Sequence, residues 1–412
     1  MLAFYKHNAR WLLGGFLLTF FSAFGQTFFI SIWGAEIREA YSLSHGGWGS
    51  VYMLATLASA VCLPFVGRLV DVVSVAQCAV LVMVGLTAAC LLMASSYSVS
   101  LLFLSVFLLR LFGQGMMGHT AITAMGRWYV ENRGKAISAT TIGHQVSEAI
   151  APSLVVALAL FVGWRGTWYV NGAVLLALAM PVIFILMRTE RVPRSTNGGN
   201  STENEIGKQW TRTQVVRDRL FWMMCLGLLS PAFIGTSVWF HQSYLIEINN
   251  WPPEKYYGSF ALMAATTFIF SLICGFMIDR WSAMRILPIF MLPLGLACLA
   301  LGFISSEYAI YITMVLIGVS YGFSSTLFGA VWPEVYGIRH LGSIRSFVMA
   351  LMVFSSAAGP GLTGVLIDQG IPFTDQLRFI GVYCLACACL IYVVSLQLMD
   401  RRNIEVALNQ SS

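Results

Sequence analysis

Charge is what this chain has least of. Asp, Glu, Lys and Arg make up 10% of its residues, against about 25% in a soluble domain. With 58% hydrophobic residues, that scarcity excludes a water-soluble globular protein. Polar sequence is equally short: Arg188 to Asp218 is the one long stretch without apolar periodicity. So little chain lies outside the apolar segments that no soluble catalytic domain is available, and the protein is not expected to be an enzyme. The strict alternation of a membrane β-barrel is missing. No phosphate-binding loop with its Lys occurs, which argues against ATP-driven transport. The nine Cys lie almost all in apolar stretches without a His or carboxylate beside them. They read as small packing residues, and no metal or other cofactor is expected.

What is present is apolar helix. Twelve stretches, centred near residues 22, 57, 85, 112, 148, 175, 232, 266, 294, 320, 355 and 386, each approach the roughly 20 residues that cross a ~30 Å hydrocarbon core. Backbone in lipid must satisfy its own hydrogen bonds, so the expected fold is all-α, integral to the membrane, with twelve transmembrane helices. Residues 1–190 hold six of them, 191–217 form a cytoplasmic linker, and 218–412 hold the other six. Of the 24 Lys and Arg, only Arg38, Arg165, Lys255 and Arg378 fall on the side away from the termini, while Arg110 falls within the fourth segment. That bias predicts cytoplasmic termini. The net charge of +6 therefore reports topology; the partner it implies is the lipid bilayer and not nucleic acid.

One pattern occurs twice with a constant offset: Gly67-x-x-x-Asp71 as Gly275-x-x-x-Asp279, Gly134 as Gly342, and Pro152 as Pro360. Two pseudo-symmetric six-helix bundles account for it, and in membranes such halves make a transporter that rocks about a central site.

The repeated loops carry a resemblance. Gly67-Arg68-Leu-Val-Asp71 and Gly275-Phe-Met-Ile-Asp279-Arg280 resemble the loop signature of the major facilitator superfamily, Gly-x-Leu-Ala-Asp-Arg, with Val72 in place of the first Arg. The resemblance implies that these loops clamp the cytoplasmic side, Asp71 acting on the eleventh helix and Asp279 on the fifth, through the positive ends of helix dipoles. Leu109-Arg110-Leu-Phe-Gly113-Gln114-Gly115 resembles the family's second signature with one extra residue. Arg127-Trp-Tyr129-Val-Glu-Asn-Arg133-Gly-Lys135 resembles the monocarboxylate and oxalate/formate transporter branch. Its repeat partner contains Glu334 and Arg339, which with Arg133 are expected to belong to the same cytoplasmic gate. Gly113-x-Gly115-x-x-Gly118 matches a dinucleotide fingerprint, but no strand precedes it, so its glycines are read as close helix packing.

An Arg at mid-membrane costs at least ~3 kcal/mol on insertion scales and must face water or a partner. Glu148 on the fifth segment lies at a comparable depth and is the natural candidate. Gln114 shares the face of Arg110, and His144 that of Glu148. Gln26, His241, Gln242, Tyr321 and Ser324 complete a polar lining on the segments that surround substrate in this family; each alone is as well explained by an interhelical hydrogen bond. The expectation is a monomeric secondary transporter of the bacterial inner membrane. It moves a small organic anion, a monocarboxylate in the first instance, by proton symport or exchange. Arg110 binds the anion, and Glu148 with His144 carries the proton. The alternatives are proton-coupled efflux of amphipathic compounds, which would go with full neutralisation of Arg110 by Glu148, and a non-transporting sensor of the same fold.

Overall fold

The computed structural model describes residues 2–129, 132–191, 209–337 and 339–410, and among these the chain is helical with no strand. The first span, α1, is a bent pair, Phe4–Gly25 and Thr27–Tyr41, with 46° between its parts. Single spans follow: α2 (His45–Val72), α3 (Val75–Ser95) and α4 (Val99–Trp128). The next helix, Gly134–Met187, has 54 residues, about 80 Å at 1.5 Å per residue. Its length resolves at Gly163, where φ of 68° and ψ of 171° interrupt the helix, a conformation open to Gly because it has no Cβ. It is therefore two spans, α5 (134–162) and α6 (164–187). The remainder are α7 (Arg219–Phe240), α8 (Pro253–Trp281), α9 (Ala283–Phe303), α10 (Tyr308–Tyr336), α11 (Leu341–Asp368) and α12 (Phe373–Arg402). With α1 taken as one span and Gly134–Met187 as two, the twelve spans expected from the sequence are all present among the described residues.

Local sequence explains where the spans start. Ser44, Ser74 and Ser98 accept backbone amides at the heads of α2, α3 and α4, and Ser74 does so in a capping box with Gln77. Each cap removes an orphan donor. The repeat is visible at the next level. The amide of Val75, at the head of α3, donates to Glu190 from beyond α6 at 3.1 Å. Its counterpart in the repeat, Ala283 at the head of α9, donates to Glu334 from α10 at 2.8 Å. The same amide is capped by carboxylates from different helices.

The helices form two compact units. The first is Met1–Gly198 together with Val238–Ile248 and Pro360–Asp368; the second is Gly199–Ser237, Asn249–Gly359 and Gln369–Ser412. The units thus follow the two sequence halves except at the ends of α7 and α11, which pack with the first. Most of the expected linker, 192–208, lies outside the described residues.

In the first unit α1 and α4 touch backbone to backbone. A Cβ on Gly25 would run into the Leu109 carbonyl oxygen, and one on Gly113 would lie 2.6 Å from the Gly25 Cα. Both helices are irregular there: α1 breaks at Gln26 (φ −85°, ψ 152°), and α4 is π-helical over Leu109–Met117. In α11, Pro360 cannot donate to the Ser356 carbonyl, and the Thr236 hydroxyl, in the second unit with Ser356, donates to that oxygen at 2.8 Å instead. Glycine at the α1–α4 crossing is therefore a packing requirement. Gly25→Ala should destabilise the protein by at least about 1–3 kcal/mol. Gly329→Ala, where a new Cβ meets nothing within 4 Å, should be neutral or stabilise by about 0.5–1 kcal/mol. Thermal unfolding of the two variants in detergent checks the contrast.

Candidate functional site

The helix break builds the site. In a regular helix the Gly25 carbonyl would accept from Phe29, but the Phe29 amide bonds to Gln26 instead, at 3.2 Å. The freed oxygen accepts from Arg110 Nη1 at 3.2 Å, and the same nitrogen lies 3.3 Å from the Thr27 hydroxyl. Tyr52 of α2 donates to that hydroxyl at 2.7 Å and offers its ring face to the guanidinium, 5.3 Å from the ring centre. Arg110 is 2% exposed, and its Nε has no hydrogen-bond partner among the described residues.

The expected meeting of Arg110 with Glu148 does not occur. The ion pairs among the described residues are Arg127–Asp71, Lys255–Glu307, Arg378–Asp375, Arg401–Asp218 and Arg402–Glu334; Arg110 and Glu148 are in none of them. A hydrogen bond to a charged group is worth about 1.5–3 kcal/mol, and a desolvated cation–π contact about 2 kcal/mol. Together these offset an insertion cost of ~3 kcal/mol without a carboxylate. The guanidinium keeps its charge and one unused edge. Glu148 is half-buried on α5, just before Pro152, which deprives the Glu148 carbonyl of its helical donor. His144, one turn earlier, packs against Phe28 with ring centres 6.2 Å apart, and its Nδ1 is buried without a partner among the described residues.

The other expected lining residues separate into two groups. Gln26 is half-buried at the α1 break, and Gln114 is exposed on the π-helical turn that holds Arg110. His241 and Gln242 hydrogen-bond within the first unit. Gln242 is fully buried and donates to the Phe28 carbonyl at 2.9 Å and to Ser31 at 3.0 Å. His241 Nε2 lies 2.9 Å from the Thr363 hydroxyl. In the second unit, Tyr321 directs its hydroxyl at Gly235, and buried Ser324 bonds back to the Tyr321 carbonyl at 3.3 Å. The sequence reading missed Gly25, Thr27 and Tyr52. A Gly-Gln-Thr interruption inside the first apolar stretch is the signal that marked Gly25 and Thr27; Tyr52, on the second segment, had none.

The loops expected to form a gate are tied within their own units. Asp71 is ion-paired with Arg127 at the end of α4, whose other nitrogen donates to the Val70 carbonyl at 2.8 Å; Gly67 is buried and Arg68 exposed. In the second unit Glu334 joins the head of α9 to Arg402, 2.8 Å away at the end of α12. Arg280 lines a cavity of about 250 Å³ with Arg285 and Arg402. Gly275 has open space around it, and Asp279 is exposed. The Arg339 amide donates to Gln209 at 3.1 Å. The side chain of Arg133 lies outside the described residues. Exposure decides which contacts matter for stability. Asp71→Asn breaks an ion pair whose side chains are 60% and 43% exposed and should cost under about 1 kcal/mol. Gln242→Leu strips two buried hydrogen bonds, one from the Phe28 carbonyl and one from the Ser31 hydroxyl, and should cost about 1–3 kcal/mol. Denaturation midpoints of the purified variants measure both.

Comparison with known proteins agrees with this architecture. The family model described as Major Facilitator Superfamily matches residues 15–360 and 241–403. No curated protein matches the sequence. Among solved structures, the chain is similar to a bacterial homologue of the human lysosomal transporter Spinster, captured inward-facing and unoccupied. The two share 16% identity at a TM-score of 0.69, over 97% of this chain and 95% of that one. It is also similar to the nucleoside transporter NupG, with 14% identity and a TM-score of 0.69, over 93% of this chain and 98% of that one. At such identities the likeness is one of fold.

Proposed function

This chain belongs to the major facilitator superfamily, and on that premise we propose that it is a secondary transporter of a small organic anion, a monocarboxylate in the first instance, driven by a proton or a counter-substrate. The observation that carries the anion is the state of Arg110: a buried cation held by a carbonyl, a hydroxyl and an aromatic face, with no carboxylate paired to it and its Nε unused among the described residues. A substrate carboxylate is the partner such a guanidinium accepts in a planar, two-point geometry. Full neutralisation by Glu148 would have favoured efflux of amphipathic compounds, and that pairing is not seen. Glu148 is the proton carrier in this reading. A carboxyl on a partly buried helix face exchanges a proton more readily than it holds a charge there, and His144 on the same stripe relays it. The bias of basic residues supports cytoplasmic termini in a bacterial inner membrane. The Asp71 and Glu334 ties then lie on the cytoplasmic side, where each stiffens one unit.

Uptake of radiolabelled acetate, lactate, pyruvate, formate and oxalate into proteoliposomes, with and without an inward proton gradient, tests the reading. One of these acids should accumulate with the gradient. Arg110→Gln keeps a donor for the Gly25 carbonyl but removes the charge, and should reduce uptake at least about 100-fold, the loss of a charge-assisted pair worth about 3 kcal/mol. Glu148→Gln should abolish gradient-driven uptake and spare substrate exchange. Uptake of none of the acids, or undiminished uptake by Arg110→Gln, overturns the anion assignment.

A further inference from the structure

At the end of the first unit away from the N-terminus, α2, α11 and the short helix after α7 (Gln242–Asn249) meet in a polar cluster that the transport reading leaves unused. Asp368, the last residue of α11, accepts from the Ser44 hydroxyl at 2.6 Å and the Gly46 amide at 2.8 Å. A carboxylate from α11 thus caps the positive end of α2. The approach is close because Gly364 has no side chain: a Cβ there would stand 2.6 Å from the His45 carbonyl oxygen. His241 is tied to Thr363 of α11. Between these contacts sits His45, half-buried, its ring 6.1 Å from that of His241 and 4.7 Å from that of Tyr244. Its Nε2 lies 2.9 Å from Arg38 Nη1. A guanidinium has donors and no acceptor, so His45 Nε2 accepts and the imidazole is neutral in this arrangement.

We propose that His45 is a proton-binding site that releases this end of the protein, so that acid on that side loosens the ends of α7 and α11 from α2. The proposal rests on the alternating-access reading for its purpose but not for its chemistry. A proton on Nε2 replaces the acceptor of the Arg38 hydrogen bond with a second cation at the same short distance. Around it stand Arg38 from α1, Asp368 from α11, and His241 and Tyr244 from the α7 side, with Glu247 and Glu36 nearer to Arg38. Asp368, the anion facing His45, already has its Oδ2 engaged by Ser44 and Gly46. Asp368 offsets part of the added charge, but burial and the closer Arg38 cation weigh against it more, and the contacts that hold the three helix ends give way.

Hydrogen–deuterium exchange of the reconstituted protein without substrate tests this. From about pH 7.5 to about pH 4.5, a range that spans ordinary His titration, peptides covering 44–52, 238–248 and 360–368 should exchange about tenfold faster once corrected for the intrinsic pH dependence of amides. Tenfold is the effect of one unit of differential proton affinity between the closed and open forms. His45→Gln retains an acceptor for Arg38 but takes no proton, and should show slow exchange at both values. Arg38→Gln should independently blunt the acid response, and Asp368→Asn should exchange fast at both. An unaltered acid response in His45→Gln, or none in the natural protein, overturns the proposal. An acid response lost in His45→Gln but unaccompanied by any acid uptake supports the proton site while removing the anion-transport reading.

Discussion

A guanidinium buried in an apolar bundle is the constraint around which the first unit is organised. Arg110 cannot lose its proton, and no carboxylate among the described residues pairs with it. What it binds is backbone: the carbonyl of Gly25, left without a helical donor where α1 breaks. The break is therefore an interaction and not a defect. It requires glycine on both sides of the crossing, because a Cβ at Gly25 or Gly113 would occupy the partner's backbone. It coincides with the π-helical turn of α4 that carries Arg110. Irregular backbone at membrane depth persists where protein satisfies it, and here the satisfying group is the one the transport reading assigns to substrate.

The duplicated sequence meets equivalent structural problems with different residues. The heads of α3 and α9 occupy equivalent positions in the repeat and each has its first amide capped by a carboxylate. Glu190 arrives from beyond α6, whereas Glu334 arrives from α10. Pro152 and Pro360 likewise each deprive a carbonyl of its donor. Thr236 supplies one to Ser356, while the equivalent position in the first half is Glu148. The repeat preserves the backbone's demands more faithfully than it preserves the side chains that meet them.

Much of the fold was legible without coordinates. Apolar length alone locates twelve spans, since the hydrocarbon thickness sets how many residues a helix needs. Arg110 is conspicuous because charge is rare, and its need for partners follows from its depth. Its partners were not legible. Depth and helix adjacency made Glu148 the natural choice, but neither reports rotation about a helix axis, and a carbonyl freed by a broken turn has no letter in the sequence. His241 and Gln242 show the same limit: polar residues on the seventh segment read equally as cavity lining or as packing, and their buried hydrogen bonds to Phe28, Ser31 and Thr363 had no sign in the sequence.

The sequence by itself determined the solvent, the number of spans, the duplicated plan and the presence of a cation, Arg110, inside an apolar segment, because each depends on composition, length or periodicity along the chain. Tertiary structure alone decided what that cation touches, which carboxylate caps which helix, and that the ends of α7 and α11 pack with the first unit. Those outcomes depend on which faces meet and how closely. They turn on single glycines, freed carbonyls and the reach of one side chain across a helix crossing, and such distances are set by the packing of residues far apart in the chain.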